Sequence, residues 1–368
     1  RPLRNADNFP LKVSTGGMPP LAKFAAAPFG IVERFAEGPA SDKPPALLPV
    51  TLRNVEAALR VQGLQPGTVS TLKPRTDADI IAWFKKVQRY DSYVVDRKQA
   101  RKDVSGPLLQ VLDKNIDKDY VQSRMLSLLA GKGGVKTLQL PKPANNDPRP
   151  FGVVGIPLTP GFHVVEIASQ KLGASLLDDR HGEGRTMYVR TSALVTNLGV
   201  HFKLGRENAL AWVTTLDKGQ PVQGAKVRVS DCRGNEVGSA TTDAQGVARI
   251  PHALKEPQCD KPGELSGLFV VARARDAQGT EDMAFARSGW NQGLEAWRFP
   301  FSAPEDGAPP LVAHSILDRS LLRPGGQLVL AGLLERQVDE VSACYPEVDL
   351  RVAEVIDGWA CLAGTKPR

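Results

Sequence analysis

The sequence has few aromatic residues and no long apolar stretch. Aromatic residues make up 6% of the 368 residues, whereas the chain contains 34 glycines and 29 prolines. The longest apolar runs, such as residues 328–334, have the length of a strand, well short of the roughly 18 residues of a membrane-spanning helix. These features argue against a transmembrane helix and favour many short strands joined by tight turns.

The charge balance argues against nucleic-acid binding, and the first residues indicate how the chain begins. The net charge is +7, and no basic patch interleaved with aromatic residues is present, so nucleic acid is not expected as a partner. Residues 1–7 are polar, with no apolar signal core behind them and no initial Met. We therefore expect a mature form or an excised piece of a longer protein, with about two to four domains in this length.

The four cysteines lack the spacing of metal ligands. No CxxC pair occurs and no His lies at zinc-ligand spacing, so no structural zinc is predicted. Cys232 follows a strand-like run and Cys259 lies in a Pro-rich loop of the same predicted domain, which predicts a disulfide, with two free buried thiols as the alternative. That disulfide would indicate an oxidising compartment. Cys344 and Cys361 are a second predicted disulfide pair.

No motif for catalysis, cofactor binding or metal binding is complete. The segment Gly131–Thr137 resembles a phosphate-binding loop, but Val135 stands where the motif needs glycine immediately before Lys-Thr. The segment Asp178–Glu183 contains acids and a His but is typical of a solvated hairpin tip. No Gly-x-Ser-x-Gly elbow is present. The sequence therefore predicts no catalytic, cofactor-binding or metal-binding residues, and a scaffold instead of an enzyme.

The middle of the chain alternates apolar and polar residues with a period of two. Residues 198–202, 210–216 and 225–230 show this alternation, which is typical of strands that bury one face. Turn sequences rich in Gly, Asp and Asn separate these runs. Several short strands at this spacing predict a β-sandwich, which we place at residues 191–307.

The two flanking regions are less regular. Thr76 followed by Asp79 predicts a helix start, and apolar residues at helical spacing follow it. A second helical segment is predicted through Val121, Met125, Leu128 and Leu129. Residues 1–190 are therefore predicted to form a β-sandwich region with a partly helical insertion at about 75–145, or a small separate helical domain there. Residues 308–368 are predicted to begin a further β domain.

Several sequence segments resemble the macroglobulin-like domains of bacterial alpha-2-macroglobulins. The segments are Ser192–Val200, Ala211–Leu216, Gly219–Val227 and Thr242–Ala248, with Leu317–Gly325 similar to the opening of the next such domain. Their order also matches that family. The resemblance implies a mainly β fold of tandem immunoglobulin- or fibronectin-III-like sandwiches, the last of which, at 308–368, is incomplete.

The resemblance also implies a function. Members of this family entrap proteases in the periplasm and are anchored to the inner membrane by a lipid, which would lie outside this chain. Many carry an internal thioester formed from Cys-x-x-Gln, and none of the four cysteines here has that Gln. The implied partners are target proteases, acting through the parent protein, and a peptidoglycan-synthesising penicillin-binding protein.

A different function class remains open on sequence grounds. A cell-surface adhesin or a polysaccharide-binding array of immunoglobulin-like domains would have the same fold, because sandwiches host many functions. Trp212, Trp290 and Trp297 lie within or beside one predicted sandwich. They would line a sugar platform in that case, although tryptophans in a β-sandwich more often belong to its core.

Overall fold

A computed structural model describes most of the chain. The described residues are 18–34, 46–55, 68–104, 119–139, 152–177, 186–256, 267–276, 279–290, 315–316 and 325–367. The chain divides into two compact units, residues 1–290 and 291–368. No helix within these described ranges is long and apolar enough to cross a membrane.

The first unit begins with a β-sandwich that carries an insertion. Its strands are β1 Leu21–Phe24, β2 Phe29–Glu33, β3 Ala46–Arg53, β4 Thr68–Leu72, β5 Val94–Asp96, β6 Tyr120–Gln122, β7 Lys136–Gln139, β8 Gly152–Leu158, β9 Gly161–Ser169 and β10 Met187–Thr196. Its helices are α1 Asp77–Arg89, α2 Arg97–Asp103 and α3 Gln170–Leu176.

Two sheets of this first sandwich face each other. One has the order β1-β3-β8 and the other β2-β10-β9-β4-β7, while β5 and β6 form a separate two-stranded antiparallel sheet. Apolar residues from both sheets, among them Val50, Ile156, Val165 and Val195, form the core between them. Because β9 and β10 are covered on both faces, nearly all of their residues are buried, the polar ones included.

The insertion lies between β4 and β7. Its first helix is α1, as predicted, and it packs into a core shared with the sheets, so it is not a separate helical domain. Since β7 already pairs with β4, the insertion closes near residue 136, earlier than the predicted 145.

The second predicted helix of the insertion is wrong. Residues 120–122 form β6, and residues 123–125 form one short 3-10 turn. The apolar residues Val121, Met125, Leu128 and Leu129 are all buried, so their spacing reflects burial of an irregular segment. Side chains from β9 and β10 satisfy the backbone of this segment, as described below, and they replace the hydrogen bonds that a helix would make internally.

The second sandwich completes the first unit. Its strands are β11 Leu198–Leu204, β12 Ala209–Thr215, β13 Lys226–Ser230, β14 Glu236–Thr241, β15 Val247–Ile250, β16 Phe269–Arg275 and β17 Glu281–Arg287. They form two sheets, β11-β12-β15 and β14-β13-β16-β17. The strands predicted from alternation are therefore confirmed.

The boundary between the sandwiches lies a few residues later than predicted. Strand β10 crosses the predicted 190/191 boundary and stays in the first sandwich to Thr196, paired with β2 and β9. Asn197 is the joining residue. Its backbone oxygen accepts a hydrogen bond from the Leu216 amide at 2.7 Å, which connects it to the end of β12.

The C-terminal unit has a different architecture. Its elements are β18 Ser315–Ile316, β19 Gln327–Leu334, helix α4 Val338–Ala343, β20 Asp349–Ile356 and β21 Trp359–Thr365, with a 3-10 turn at Glu335–Gln337. The sheet order is β18-β19-β21-β20. Both β19 and β20 run antiparallel to β21, so they are parallel to each other, and α4 lies on the connection between them.

This arrangement differs from the sandwich expected at 308–368. In the described part of this unit, a single sheet packs Leu328, Leu330 and Leu362 against Val338 and Val341 beside α4. The helix covers the sheet face that a second sheet would cover in a sandwich. The loss of strand alternation after Gln337 has the same cause, since residues 338–343 are helical.

Candidate functional site: the joint between the two sandwiches

Helix α1 is the central element of the contact between the two sandwiches. The Thr76 side chain caps it by accepting a hydrogen bond from the Asp79 amide at 3.1 Å, which is the predicted start. Ile80, Ile81, Phe84 and Val87 are buried on one face, and all four belong to a core cluster that also contains residues of both sandwiches. The helix therefore joins the two cores into one.

Aromatic rings from both sandwiches meet beside this helix. The Phe84 ring lies 5.2 Å from that of Phe29 on β2 and 5.8 Å from that of Phe285 on β17, between ring centroids. Phe285 also contacts Phe162 of β9 at 5.9 Å. Edge-to-face pairs of this kind are worth about 0.5–1.5 kcal/mol beyond the burial of their area. The aromatic cluster thus connects β2, α1 and β9 of the first sandwich with β17 of the second.

Charged groups connect the start of α1 with the second sandwich. The buried Asp77 carboxylate forms ion pairs with Arg273 of β16 and, at 3.7 Å, with Arg228 of β13. A β-carbon on Gly234, which has a φ of +90°, would lie 2.8 Å from the Ala78 α-carbon. The turn before β14 therefore packs directly on the first turn of α1, and glycine is required there both for its backbone conformation and for the close approach.

A second set of buried ion pairs lies at the end of β2. The Arg34 guanidinium donates to the Asp276 carboxylate at 2.9 Å and to the Asp282 carboxylate at 3.3 Å, and all three side chains are mostly buried. Asp282 also accepts a hydrogen bond from the Asn197 backbone amide at 2.9 Å. One aspartate thus contacts both the joining residue and the first sandwich.

The insertion is held to the first sandwich by a buried ion pair. The Arg190 Nε lies 3.3 Å from a Glu166 carboxylate oxygen, and both side chains are almost fully buried. Glu166 accepts hydrogen bonds from the Ser127 hydroxyl and, at 3.0 Å, from the Leu128 amide. Arg190 donates to the backbone oxygens of Tyr90, Ser123 and Leu126. Within residues 119–130, these contacts satisfy the Leu128 amide and the Ser123 and Leu126 backbone oxygens without a helix.

Burial shifts the ionisation of several groups near this framework. Burial lowers the pKa of Arg190, and the Glu166 carboxylate opposes that shift. Burial also raises the pKa of Tyr188 to about 12, with a smaller contribution from Glu166. The pKa of His163 falls to about 4, chiefly because the ring is buried, so this imidazole is neutral at pH 7.

The cysteine predictions have three outcomes. Cys232 takes part in a disulfide and is buried beside α1, near Ile81 and Phe84. Cys259 lies outside the described residues, so its pairing with Cys232 stays a prediction. The second predicted pair is wrong, because Cys344 and Cys361 are both free. Cys344 follows α4 and directs its Sγ to the Glu340 backbone oxygen of its own helix, at 3.4 Å.

The remaining predictions concern the Asp178–Glu183 loop and the tryptophans. The Asp178–Glu183 loop and Trp297 lie outside the described residues. Among the residues that are described, no group of three or more His, Cys, Asp or Glu side chains is arranged to hold a metal ion. Trp212 is 42% exposed and its ring contacts that of His201, so it is not a core residue. Trp290 is 41% exposed and packs on the edge of the aromatic cluster at the joint.

No sequence motif predicted the ion pairs of the insertion and of the joint. Glu166 and Arg190 are single charges within apolar strands, and a charge in that position indicates a buried pair. Arg34, Asp77 and Asp282 lie at or just beyond the ends of strands or helices, where charged residues are ordinary. Their sequence context therefore carries no signal of burial.

These observations define the class of the first unit: two β-sandwiches with a shared core. Residues 195–306 match the family described as the bacterial alpha-2-macroglobulin MG3 domain, and this range covers the second sandwich. The chain therefore contains a macroglobulin-like domain of the bacterial alpha-2-macroglobulin type.

Solved structures of alpha-2-macroglobulins are among its structural neighbours. Trypsin-activated alpha-2-macroglobulin from Escherichia coli is 16% identical, with a TM-score of 0.39 over 95% of this chain and 20% of that chain. A mutant of Salmonella alpha-2-macroglobulin is 14% identical, with a TM-score of 0.34 over 96% of this chain and 18% of that one. Both TM-scores are below 0.5, so the assignment depends on the family match at 195–306.

Part of the chain is also similar to curated proteins named ribosomal protein L11 methyltransferase. The ribosomal protein L11 methyltransferase of Dechloromonas aromatica is 46% identical over 124 residues, which is 28% of this chain and 41% of that protein. That of Ralstonia pickettii is 44% identical over 79 residues, which is 18% of this chain and 26% of that protein. The chain spans less than half the length of these relatives.

Proposed function

We propose that this chain is a non-catalytic scaffold segment of a bacterial alpha-2-macroglobulin-like protease inhibitor. The observation that carries the proposal is the continuous core through α1, which joins an MG3-type sandwich to the sandwich before it. In this proposal the parent protein is periplasmic, is anchored to the inner membrane by a lipid, and entraps proteases.

The physical argument concerns rigidity. Domains of one chain move relative to each other unless their interface is large and apolar. The joint here combines a shared apolar core, an aromatic cluster, the buried ion pairs of Arg34 and the half-exposed ion pairs of the buried Asp77, so the two sandwiches are held as one body. A protein that encloses a protease needs walls that keep their shape, and a rigid pair of sandwiches supplies such a wall.

The joint is tested by Arg34→Ala. This change removes one member of a buried ion-pair set and leaves Asp276 and Asp282 without their cation, which costs about 3–5 kcal/mol. We expect the free energy of unfolding to fall by that amount in urea, measured by circular dichroism. We also expect the two sandwiches to unfold in separate transitions.

The matched control is Arg275→Ala. The Arg275–Glu281 ion pair lies close by but is exposed on both sides, so its loss should change the free energy of unfolding by less than about 1 kcal/mol. Equal effects of the two substitutions, or one unchanged transition for Arg34→Ala, would show that the ion pairs do not hold the sandwiches together.

We propose a second assignment for the C-terminal unit. Parallel strands joined through a helix, as in β19-α4-β20, are typical of α/β proteins and not of antiparallel sandwiches. This observation favours the C-terminal unit as a part of the segment that resembles the L11 methyltransferases. The unit would then be a partial α/β domain, without activity of its own.

A methyl-transfer assay tests the second assignment. The full chain is incubated with ribosomal protein L11 and an isotopically labelled methyl donor, and no labelled L11 is expected. Transfer that disappears when residues 325–367 are deleted would show that the unit is active, and it would overturn the assignment as an inactive partial domain.

A further inference from the structure

Strand β20 is the edge of the C-terminal sheet and exposes apolar side chains between its charged ones. In the described part of the unit, β20 pairs with β21 on one side only. Val352, Val355 and Ile356 are 48%, 42% and 59% exposed. Proteins usually protect such an edge, because its free backbone groups pair readily with another strand.

The β20 strand contains an irregularity that changes which residues share a face. Arg351 pairs with Ala363 and Glu354 pairs with Cys361, and the register shifts between Val352 and Glu354. Because Ala363 and Cys361 are two residues apart on β21, their side chains point to the same face of the sheet. Arg351 and Glu354 therefore also share a face, whereas in a regular strand residues three apart point to opposite faces.

We propose that β20 pairs antiparallel with β20 of a second copy of this chain, about a two-fold axis between Val352 and Ala353. In this register Arg351 lies opposite Glu354 of the partner subunit, and Glu354 lies opposite Arg351 of the partner subunit. Opposite charges at directly facing positions stabilise antiparallel strands. Directly opposed residues must point to the same face, and the irregularity at Ala353 is what allows it here.

The apolar residues of β20 match in the same register. Leu350 lies opposite Val355 of the partner subunit, and both side chains are on the face covered by α4, where Leu350 packs against the core. The partner strand would therefore extend each core and cover the exposed Val352 and Val355. The Asp349–Arg351 ion pair, at 2.6 Å within one strand, stays on the opposite face, beside the new pairs.

Charge reversal combined with mixing tests this pairing. The full chain, with Cys344→Ser and Cys361→Ser to exclude disulfide-linked dimers, is followed by sedimentation over a range of concentrations. We expect a monomer–dimer equilibrium for this protein. Arg351→Glu and Glu354→Arg should each weaken the dimer by about tenfold, because each variant places two like-charged pairs across the axis.

An equimolar mixture of the two variants separates the proposal from misfolding. A heterodimer of Arg351→Glu with Glu354→Arg places opposite charges at both facing positions. The mixture should therefore associate about as tightly as the chain without these two substitutions. The Arg351→Glu/Glu354→Arg double variant should do the same. A monomer at every concentration would overturn the proposal, and so would single variants that dimerise normally or a mixture that fails to recover association.

Discussion

His163 on β9 shows how a single residue takes its chemistry from the fold. In the sequence it is one of five histidines and lies in an ordinary strand run. In the structure it is buried, and its Nε2 lies 2.7 Å from the Thr159 backbone oxygen. Burial lowers its pKa to about 4, and the positive charge of Lys73 acts in the same direction. The ring is thus a neutral core group, and its protonation opposes folding.

The first prediction is a loss of stability in mild acid. The pKa of His163 is about 4 in the folded state and near 6.5 when unfolded, so the unfolded chain binds more protons between these values. The free energy of unfolding should therefore fall as the pH falls through this window, with about 2 kcal/mol of this group's contribution lost at pH 5. Urea unfolding at pH 7 and pH 5 measures it.

Two variants assign this pH dependence. His163→Gln should remove most of the difference between pH 7 and pH 5, since glutamine does not titrate. His201→Gln, at an exposed position of β11, should leave the difference unchanged. If His163→Gln and the unsubstituted chain show the same pH dependence of the free energy of unfolding, another group is responsible for it.

Among the secondary-structure elements of the insertion, helix α1 is specified by its local sequence, whereas the irregular segment 121–129 is held by tertiary contacts. The cap at Thr76 and the apolar spacing after it are local, and they specify α1 wherever it packs. Residues 121–129 have a comparable apolar spacing but form an irregular segment. The buried Glu166 and Arg190 side chains accept from and donate to its backbone, and those residues are about 40 to 65 positions away in the chain.

Phe84→Ala is the prediction for α1. The ring is buried and touches Phe29 and Phe285, so its removal should lower the free energy of unfolding by about 3–5 kcal/mol. Gln88→Ala, on the same helix but only half-buried, is the control and should stay within about 0.5 kcal/mol. Chemical denaturation of both variants gives the values, and a Phe84→Ala change as small as the control's would mean that α1 does not carry the shared core.

The disulfide of Cys232 gives a third prediction. Peptide mapping without reduction should recover Cys232 joined to Cys259, and reduction should lower the free energy of unfolding by about 3.5 kcal/mol for a loop of about 28 residues. The Cys344→Ser and Cys361→Ser variants should keep the same bond, because both thiols are free. Recovery of Cys232 joined to any other cysteine would disprove the pairing.

At the scale of the whole molecule, the chain combines two kinds of architecture. The first unit is two antiparallel sandwiches with one core, and the second is a sheet with parallel strands and a helix on one face. The family match at 195–306 lies almost entirely within the sandwiches. The proposed scaffold role therefore concerns the sandwiches and not the C-terminal unit.

The prediction at this scale is that the chain alone neither inhibits nor cleaves. The purified chain is incubated with a broad-specificity protease, and the cleavage of a bulky protein substrate is followed. We expect no protection of the substrate and no hydrolysis by the chain itself. Stoichiometric protection would refute the scaffold proposal and indicate direct contact with the protease, whereas hydrolysis that persists after removal of contaminants would show catalysis.

The second sandwich and α1 follow from local sequence patterns. Alternation in residues 198–250, turn residues between the runs and the cap at Thr76 are all local patterns, and each acts within a few residues of chain. The same patterns are incomplete after Gln337. There, apolar residues at helical spacing follow a strand, and a further sandwich was expected where an α/β arrangement is found.

The contacts of the joint between the two sandwiches depend on packing between distant parts of the chain. Arg34 and Asp282 are 248 residues apart in the chain, and Asp77 and Arg273 are 196 apart, so no local pattern relates them. Their burial depends on how two sheets and a helix pack, and a charge at the end of a strand is otherwise solvated. The irregularity at Ala353 is likewise invisible in the local sequence. Arg351 and Glu354 lie on the same face because of their pairing with β21, and their own spacing does not show it.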